Sequence, residues 1–357
     1  MDTTYIKEIV NLVDNVIDIL EKKDVIRSFK IDSRRVPTQA SSDFLIHKEQ
    51  GDFAERIVFE ALNAETSDYS ALKYGRNDGI SAGDDGFKDF YKDYQKELGA
   101  IGKKPDLLIV PKLSLSKEEL DISGMSDDLQ EDFLKRTIAG LEIRSSSYRF
   151  KAYTEFNQEV RRKKRIELKK ELCCLKRLYE NSGLKLSLDL TQPKESDIIK
   201  LPKASKALPE EIKSSIRKCR KLKNEVEKTK DSLSFTVKVE DIVSIKRWIQ
   251  NSGVRHFFVQ VMYDEIFMIS FKRILQIIAS GKDYSVAKDA RNQFKSTAKI
   301  SLCEGKAIGT VAKLPYLEGK CRLLPNGRVI YLIGFMGGKA NIDTLEVTNV
   351  IHSDSQY

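Results

Sequence analysis

Lys104-Pro105-Asp106 leads directly into Leu107-Leu108-Ile109-Val110. An unbroken apolar run this short fits a strand covered on both faces. Such a strand obliges the chain to supply packing layers on both sides of its sheet. A second run, centred on Ala139 to Arg144, reads as another strand beyond a polar insertion at 112–136. Helical periodicity supplies the layers. Ile6, Ile9, Val10, Val13, Val16 and Ile17 share one stripe of a helix expected from Tyr5 to Phe29, and Phe53, Ile57, Val58 and Ala61 share another from Gly51 to Leu62. The expected fold class is α/β, a mixed central sheet flanked by helices.

Further along, a long helix is expected from about Tyr153 to Tyr179, ending at Gly183, with an alternating strand at Leu184 to Leu190. The stretch 191–231 carries Pro193, Pro202 and Pro209 and then a charged helical pattern, and reads as a linker or protruding arm. Phe235 to Val239 reads as a strand, Asp241 to Gln250 as a helix, His256 to Tyr263 and Glu265 to Ser270 as adjacent strands, and Phe271 to Ala279 as a helix. The turn-rich C-terminal portion suits a sheet extension or a hairpin-rich subdomain. The domain organisation expected is an N-terminal helical region at 1–50, a core at 51–280 with the charged insertion near 191–231, and a strand-rich extension at 281–357.

Several function classes fall away. GRNDGISAGDDG, within a Gly, Asp and Lys-rich stretch at 75–102 read as an exposed loop, lacks the GK[ST] ending and the spacing of nucleotide-binding loops. Five cysteines without a CxxC pair, and histidines only at 47, 256 and 352, make neither a disulfide framework nor a zinc module. This usage points to a reducing cytoplasm. No segment approaches the roughly 20 apolar residues that cross a bilayer, so a soluble chain is expected. Lys and Arg exceed Asp and Glu by 62 − 53 = 9, a surplus that permits a polyanionic partner without requiring one.

Asp106 at the mouth of one strand and Glu142 within another could bring two carboxylates to one sheet edge. Oxygen ligands of that kind hold a hard divalent ion, and magnesium suits phosphodiester hydrolysis because it retains water and neutralises phosphoryl charge. Arg144, two residues beyond Glu142, shares its side of the strand and could fix a phosphate, and Lys151 could reach one from the following segment. An Asp after Pro also serves as a turn cap, and a Glu beside an Arg as a surface pair. The residue pattern alone leaves both roles open.

Pro105-Asp106 with Glu142-Ile143-Arg144 resembles the motif of the PD-(D/E)xK nuclease superfamily, with Arg144 where the motif has lysine. Leu107 to Val110 and the stretch GLEIRSSSYRFKAY resemble type II restriction endonucleases, in particular the AccI-like group. The motif covers about residues 103–151, and weaker similarity in element order extends to about 279. The resemblance implies a restriction-endonuclease-like core with added recognition elements, Mg²⁺ bound by Asp106 and Glu142, and hydrolysis at a specific double-stranded DNA sequence. It also implies a homodimer and a cognate DNA methyltransferase in the same restriction-modification system. By analogy an earlier helix adds an acid, for which Glu55 is preferred over Glu60; the arginine either preserves a positive phosphate contact while changing how water is oriented, or the missing lysine comes from Lys151 or another segment. Neighbouring readings are a structure-selective repair nuclease and a nonenzymatic DNA-binding protein. The run RRKKR at 161–165, with Lys169 and Lys170, is a candidate phosphate contact.

Overall fold

The computed structural model describes residues 3–23, 25, 37, 39–64, 68–76, 79–112, 119–184, 207–229, 232–288, 295–324 and 327–356. In chain order the first half gives α1 (Thr3–Lys22), α2 (Ser42–Leu62), β1 (Tyr69–Lys73), α3 (Phe87–Ala100), β2 (Leu107–Pro111), α4 (Asp127–Leu134), β3 (Ala139–Ser145) and α5 (Phe150–Asn181). Then follow α6 (Glu210–Lys228), β4 (Ser234–Lys238), α7 (Ile242–Ser252), β5 (His256–Val261), β6 (Glu265–Ser270) and α8 (Phe271–Ala279). The chain finishes with β7 (Tyr284–Lys288), β8 (Ser296–Ser301), β9 (Lys306–Lys313), β10 (Tyr316–Leu323), β11 (Val329–Met336), β12 (Lys339–Ile342) and α9 (Thr344–Gln356).

Two compact units divide the chain, one of residues 1–150 with 234–357 and one of residues 151–233. The first holds a mixed seven-stranded sheet in the order β1-β2-β3-β5-β6-β9-β12. Only the β3–β5 pair is parallel; the other neighbours are antiparallel. This is the mixed α/β, restriction-endonuclease-like architecture expected from the sequence.

Strand parity sends Leu107, Ile109, Leu141, Ile143, Phe257 and Val259 to one face, where they pack with Phe53, Ile57 and Val58 of α2 and with Val347, Val350 and Ile351 of α9. Helices α1, α7 and α8 form the opposite layer. There α7 buries Ile242, Ile245, Trp248 and Ile249, a spacing that fits one helical face. A serine hydroxyl starts α8, Ser270 accepting the N–H of Arg273 at 3.0 Å. In the same unit β4, β8 and β7 form a separate three-stranded antiparallel sheet, and β10 and β11 form a hairpin.

The second unit is built on α5 and α6, which pack through Leu168, Leu172, Leu175 and Tyr179 against Ile212, Ile216, Cys219 and Leu222. Lys164 pairs with Glu225 at 3.4 Å and Lys218 with Glu171 at 2.7 Å, so the two helices run antiparallel. The basic run is largely engaged within this unit. Arg162 and Lys163 pair with Glu159, and Arg161 donates to the carbonyl of Val226.

Several local expectations change. Helix α1 stops at Lys22, and 26–29 lie outside the described residues. Helix α2 begins nine residues before Gly51, at Ser42, because the Ser41 hydroxyl accepts the Phe44 N–H at 3.2 Å. The stretch 75–102, read as a loop, contains α3, whose stripe of Phe87, Phe90, Tyr91, Tyr94 and Leu98 is half-buried and follows a Gly and Asp-rich run. The strand expected from Leu184 continues into 185–190, which lie outside the described residues, as do Pro193 and Pro202. Among the described residues no helix is long and apolar enough to cross a membrane.

Candidate functional site

Asp106 stands one residue before β2, and the antiparallel register pairs Leu107 with Leu141. One step back on β2 is one step forward on β3, so Asp106 lies opposite Glu142. Its Oδ2 accepts the N–H of Ile143 at 2.6 Å. Its main-chain carbonyl accepts the N–H groups of Tyr74 at 3.0 Å and Gly75 at 3.2 Å. Residue 75 is a glycine at a close approach, since a Cβ there would sit 3.1 Å from Asp106 Cα and 3.2 Å from Pro105 O.

Within β3, Leu141 and Ile143 enter the core, so Glu142 and Arg144 face the other way. Glu142 is nevertheless only 1% exposed. Its Oε1 receives Lys103 Nζ at 2.5 Å and pairs with Arg144 Nη2 at 2.7 Å. Lys103 Nζ also donates to Asp241 Oδ2 at 2.8 Å, and Arg144 lies 3.6 Å from that same oxygen. Two cations and two carboxylates thus alternate in one cluster built from the approach to β2, from β3 and from the start of α7.

The backbone before β2 is held for this purpose. Gly102 has φ +97°, and a Cβ there would collide with Ser244 O and Trp248 N of α7. With glycine in place, the N–H of Lys103 donates to Ser244 O at 2.9 Å. Lys104 diverges from its neighbour, its ammonium reaching Glu97 and Gln130, each at 3.1 Å.

Electrostatics separate the acids. Burial works to raise Glu142, but Lys103 and Arg144 outweigh it and hold the carboxyl below its ordinary range. Burial likewise opposes the charge on Asp241, yet Lys103 and Lys238 carry it down to about 2. Asp106 is shifted upward, by burial first and by Glu142 second. Glu55 on α2 is pushed up to about 9 by burial and by the neighbouring charges of Asp106, Asp52 and Glu142. Desolvation works against the charges of Lys103 and Arg144, but the surrounding carboxylates raise both pKa values.

The structure therefore gathers Asp106, Glu142, Arg144 and Glu55 into one electrostatic neighbourhood. Glu60 instead pairs with Arg56 at 3.5 Å and is half exposed. Lys151 lies in the first turn of α5, in the second unit. His256 is fully enclosed by the rings of Trp248, Phe258 and Phe271, and burial lowers it to about 4, so it is a neutral core residue.

Two members of the cluster escaped sequence reasoning. Lys103 reads as one of two lysines before a proline, and only the three-residue distance to Asp106 hints at a role. Asp241 reads as a helix start, since an acid before Ile242-Val243 is an ordinary N-terminal signal.

The donor set suits a hard divalent cation. Glu142 Oε2 is buried without a hydrogen-bond partner among the described residues, and Asp106 keeps one carboxylate oxygen that does not serve the Ile143 N–H. Among the described residues no three His, Cys, Asp or Glu side chains form an enclosing cage. Two carboxylates leaving room for water and phosphate oxygens suit a divalent ion that keeps part of its hydration shell. Such a centre beside an arginine and a lysine can stabilise negative charge growing on a phosphoryl group.

No curated protein and no solved structure matches the chain. The family model described as AccI restriction endonuclease matches residues 3–357. With the paired acids at the crossing of β2 and β3, this places the chain in the AccI restriction endonuclease family, as a type II restriction endonuclease that cuts specific DNA.

Proposed function

We propose that Asp106 and Glu142 hold Mg²⁺, that Glu55 is the additional acid, and that Lys103 takes the place of the lysine missing from the motif position occupied by Arg144. The observation that carries this reading is Lys103 Nζ, 2.5 Å from Glu142 Oε1 and 2.8 Å from Asp241 Oδ2. A lysine from outside the motif thereby reaches the carboxylate it would normally accompany, and Lys151 is not needed for that part.

When bound, the ion would lower the pKa of a water and screen the scissile phosphate. The chain's own groups do the rest. Asp106 is fixed by the Ile143 N–H, so the distance between the two acids is set by the sheet. Glu55, raised by its neighbours, holds a proton in the metal-free protein and releases it when positive charge arrives. Lys103 is a donor positioned to orient the attacking water or to balance charge on the pentacoordinate phosphorus. Arg144, always cationic, supports the phosphate and is no base. The substrate is a short double-stranded DNA sequence, and a homodimer would present two such sites to a palindrome. A cognate DNA methyltransferase in the same cytoplasm would protect the host's copies.

The test is cleavage of a mixed plasmid and phage DNA pool by the intact protein and by Glu142→Gln, with and without Mg²⁺. Cutting that needs the ion, gives discrete fragments and falls at least about 10²- to 10³-fold in Glu142→Gln while DNA binding persists is the expected result. Binding without cutting across the pool would overturn the enzymatic reading, and ragged ends at nicks or branches would replace it with structure-selective cleavage.

A further inference from the structure

Arg144 does more than close the acid cluster. It also lines one end of a cleft of about 530 Å³ whose floor is the separate β4-β8-β7 sheet. Alternation explains the composition of that floor. Phe235 and Val237 of β4 and Ala298 and Ile300 of β8 are buried, so Thr236, Lys238, Thr297 and Lys299 share the opposite face. The register sets Thr236 beside Lys299 and Lys238 beside Thr297, so lysine and hydroxyl alternate along and across the strands. Lys288 and Lys295, both exposed, flank the same cleft.

Among the described residues that line the cleft, five are cations and one is a carboxylate. The carboxylate, Glu240, accepts the N–H of Ser296 at 3.4 Å. Lysine ammonium and threonine hydroxyl are suitable phosphate donors, and neither reads a base.

We infer that the outer face of the β4-β8-β7 sheet is a phosphate track that carries the DNA backbone to Arg144 and the acids, with Lys288, Lys295 and Lys299 as sequence-independent contacts. The inference rests on the nuclease reading above and specifies which surface holds the duplex. The contacts fix register without choosing sequence, so base recognition belongs to other elements.

The test is binding of a fluorescein-labelled random-sequence duplex of about 40 base pairs, in EDTA, between about 50 and 200 mM salt. Combined Lys288→Gln, Lys295→Gln and Lys299→Gln should flatten the slope of log affinity against log salt by about 2 to 3 and weaken binding about 10- to 100-fold at about 100 mM salt. The three Lys→Arg replacements should restore the wild-type slope. If the triple variant melts below the assay temperature, Lys299→Gln alone should flatten the slope by about 1. An unchanged slope in a folded variant would overturn the track. So would an equal flattening by Lys88→Gln, Lys92→Gln and Lys96→Gln, which remove exposed charge from α3. A wild-type protein that neither binds nor cuts duplex would instead refute the nuclease reading itself.

Discussion

Replacing Lys103 with Met removes the ammonium but keeps an unbranched side chain of similar reach. Lys103 is 15% exposed and its partner Glu142 2%, so the lost interactions lie in a poorly hydrated place. Deleting one partner of a buried ion pair costs about 3–5 kcal/mol, mostly because the other charge is stranded. Arg144 stays 2.7 Å from Glu142 and 3.6 Å from Asp241, so the lower end applies. A loss of about 3 kcal/mol corresponds to a Tm decrease of about 6–10 °C in a domain this large. The surplus negative charge should also draw in a divalent ion more tightly, so added Mg²⁺ recovers part of the Tm loss. Catalysis moves the other way. Without the Lys103 ammonium beside the reacting phosphate, single-turnover cleavage should fall about 10²- to 10³-fold even with the metal site filled. Tm with and without Mg²⁺, and single-turnover cleavage at saturating enzyme, measure the two halves separately. A folded, metal-saturated Lys103→Met protein that cuts within about threefold of wild type would show that Lys103 only balances charge, and the assignment would fail.

Glu55→Gln tests the raised acid. A carboxyl at about 9 in the folded, metal-free protein against 4.5 ordinarily means that the fold binds the extra proton, so stability is full near pH 4.5 and is lost as pH rises towards 9. The glutamine variant should therefore melt at a higher temperature than wild type at pH 9 without metal, with a margin that shrinks as pH falls. The difference should close by pH 5, and equal melting curves at pH 9 would refute it. Gly102→Ala adds a Cβ at positive φ against the α7 backbone. Together these should cost about 3–5 kcal/mol in denaturant titration, and a loss under about 1 kcal/mol would show that the loop gives way freely.

The acids were legible because chemistry and pattern coincided. Asp106 follows Pro at the start of an apolar run, and Glu142 is a charge where strand alternation puts it on the face shared with Arg144. Helix α8 was readable to the residue because its apolar face and its Ser270 cap agree. The local pattern carries no record of Lys103 meeting Glu142 and Asp241, since those contacts depend on Gly102 fitting against α7 and on a strand order that skips β4. Helix α3 was missed for a different reason: Phe87, Phe90, Tyr91, Tyr94 and Leu98 do form a stripe, but it follows a Gly and Asp-rich stretch that reads as loop and is only half-buried. The basic run at 161–165 stood out more than its structure warrants, because neighbouring glutamates and a backbone carbonyl engage most of it.

The parallel partner of β3 is β5, at His256–Val261, and Asp241 comes from the turn before α7. A ribosome must therefore translate past residue 261 before the strand bearing Glu142 gains its second neighbour. Until then β3 is an open edge, and a chain cut short earlier carries Asp106 and Glu142 without the framework that aligns them. Truncation before residue 256 therefore removes the strand that flanks Glu142, and truncation before 241 also removes the second carboxylate that Lys103 reaches.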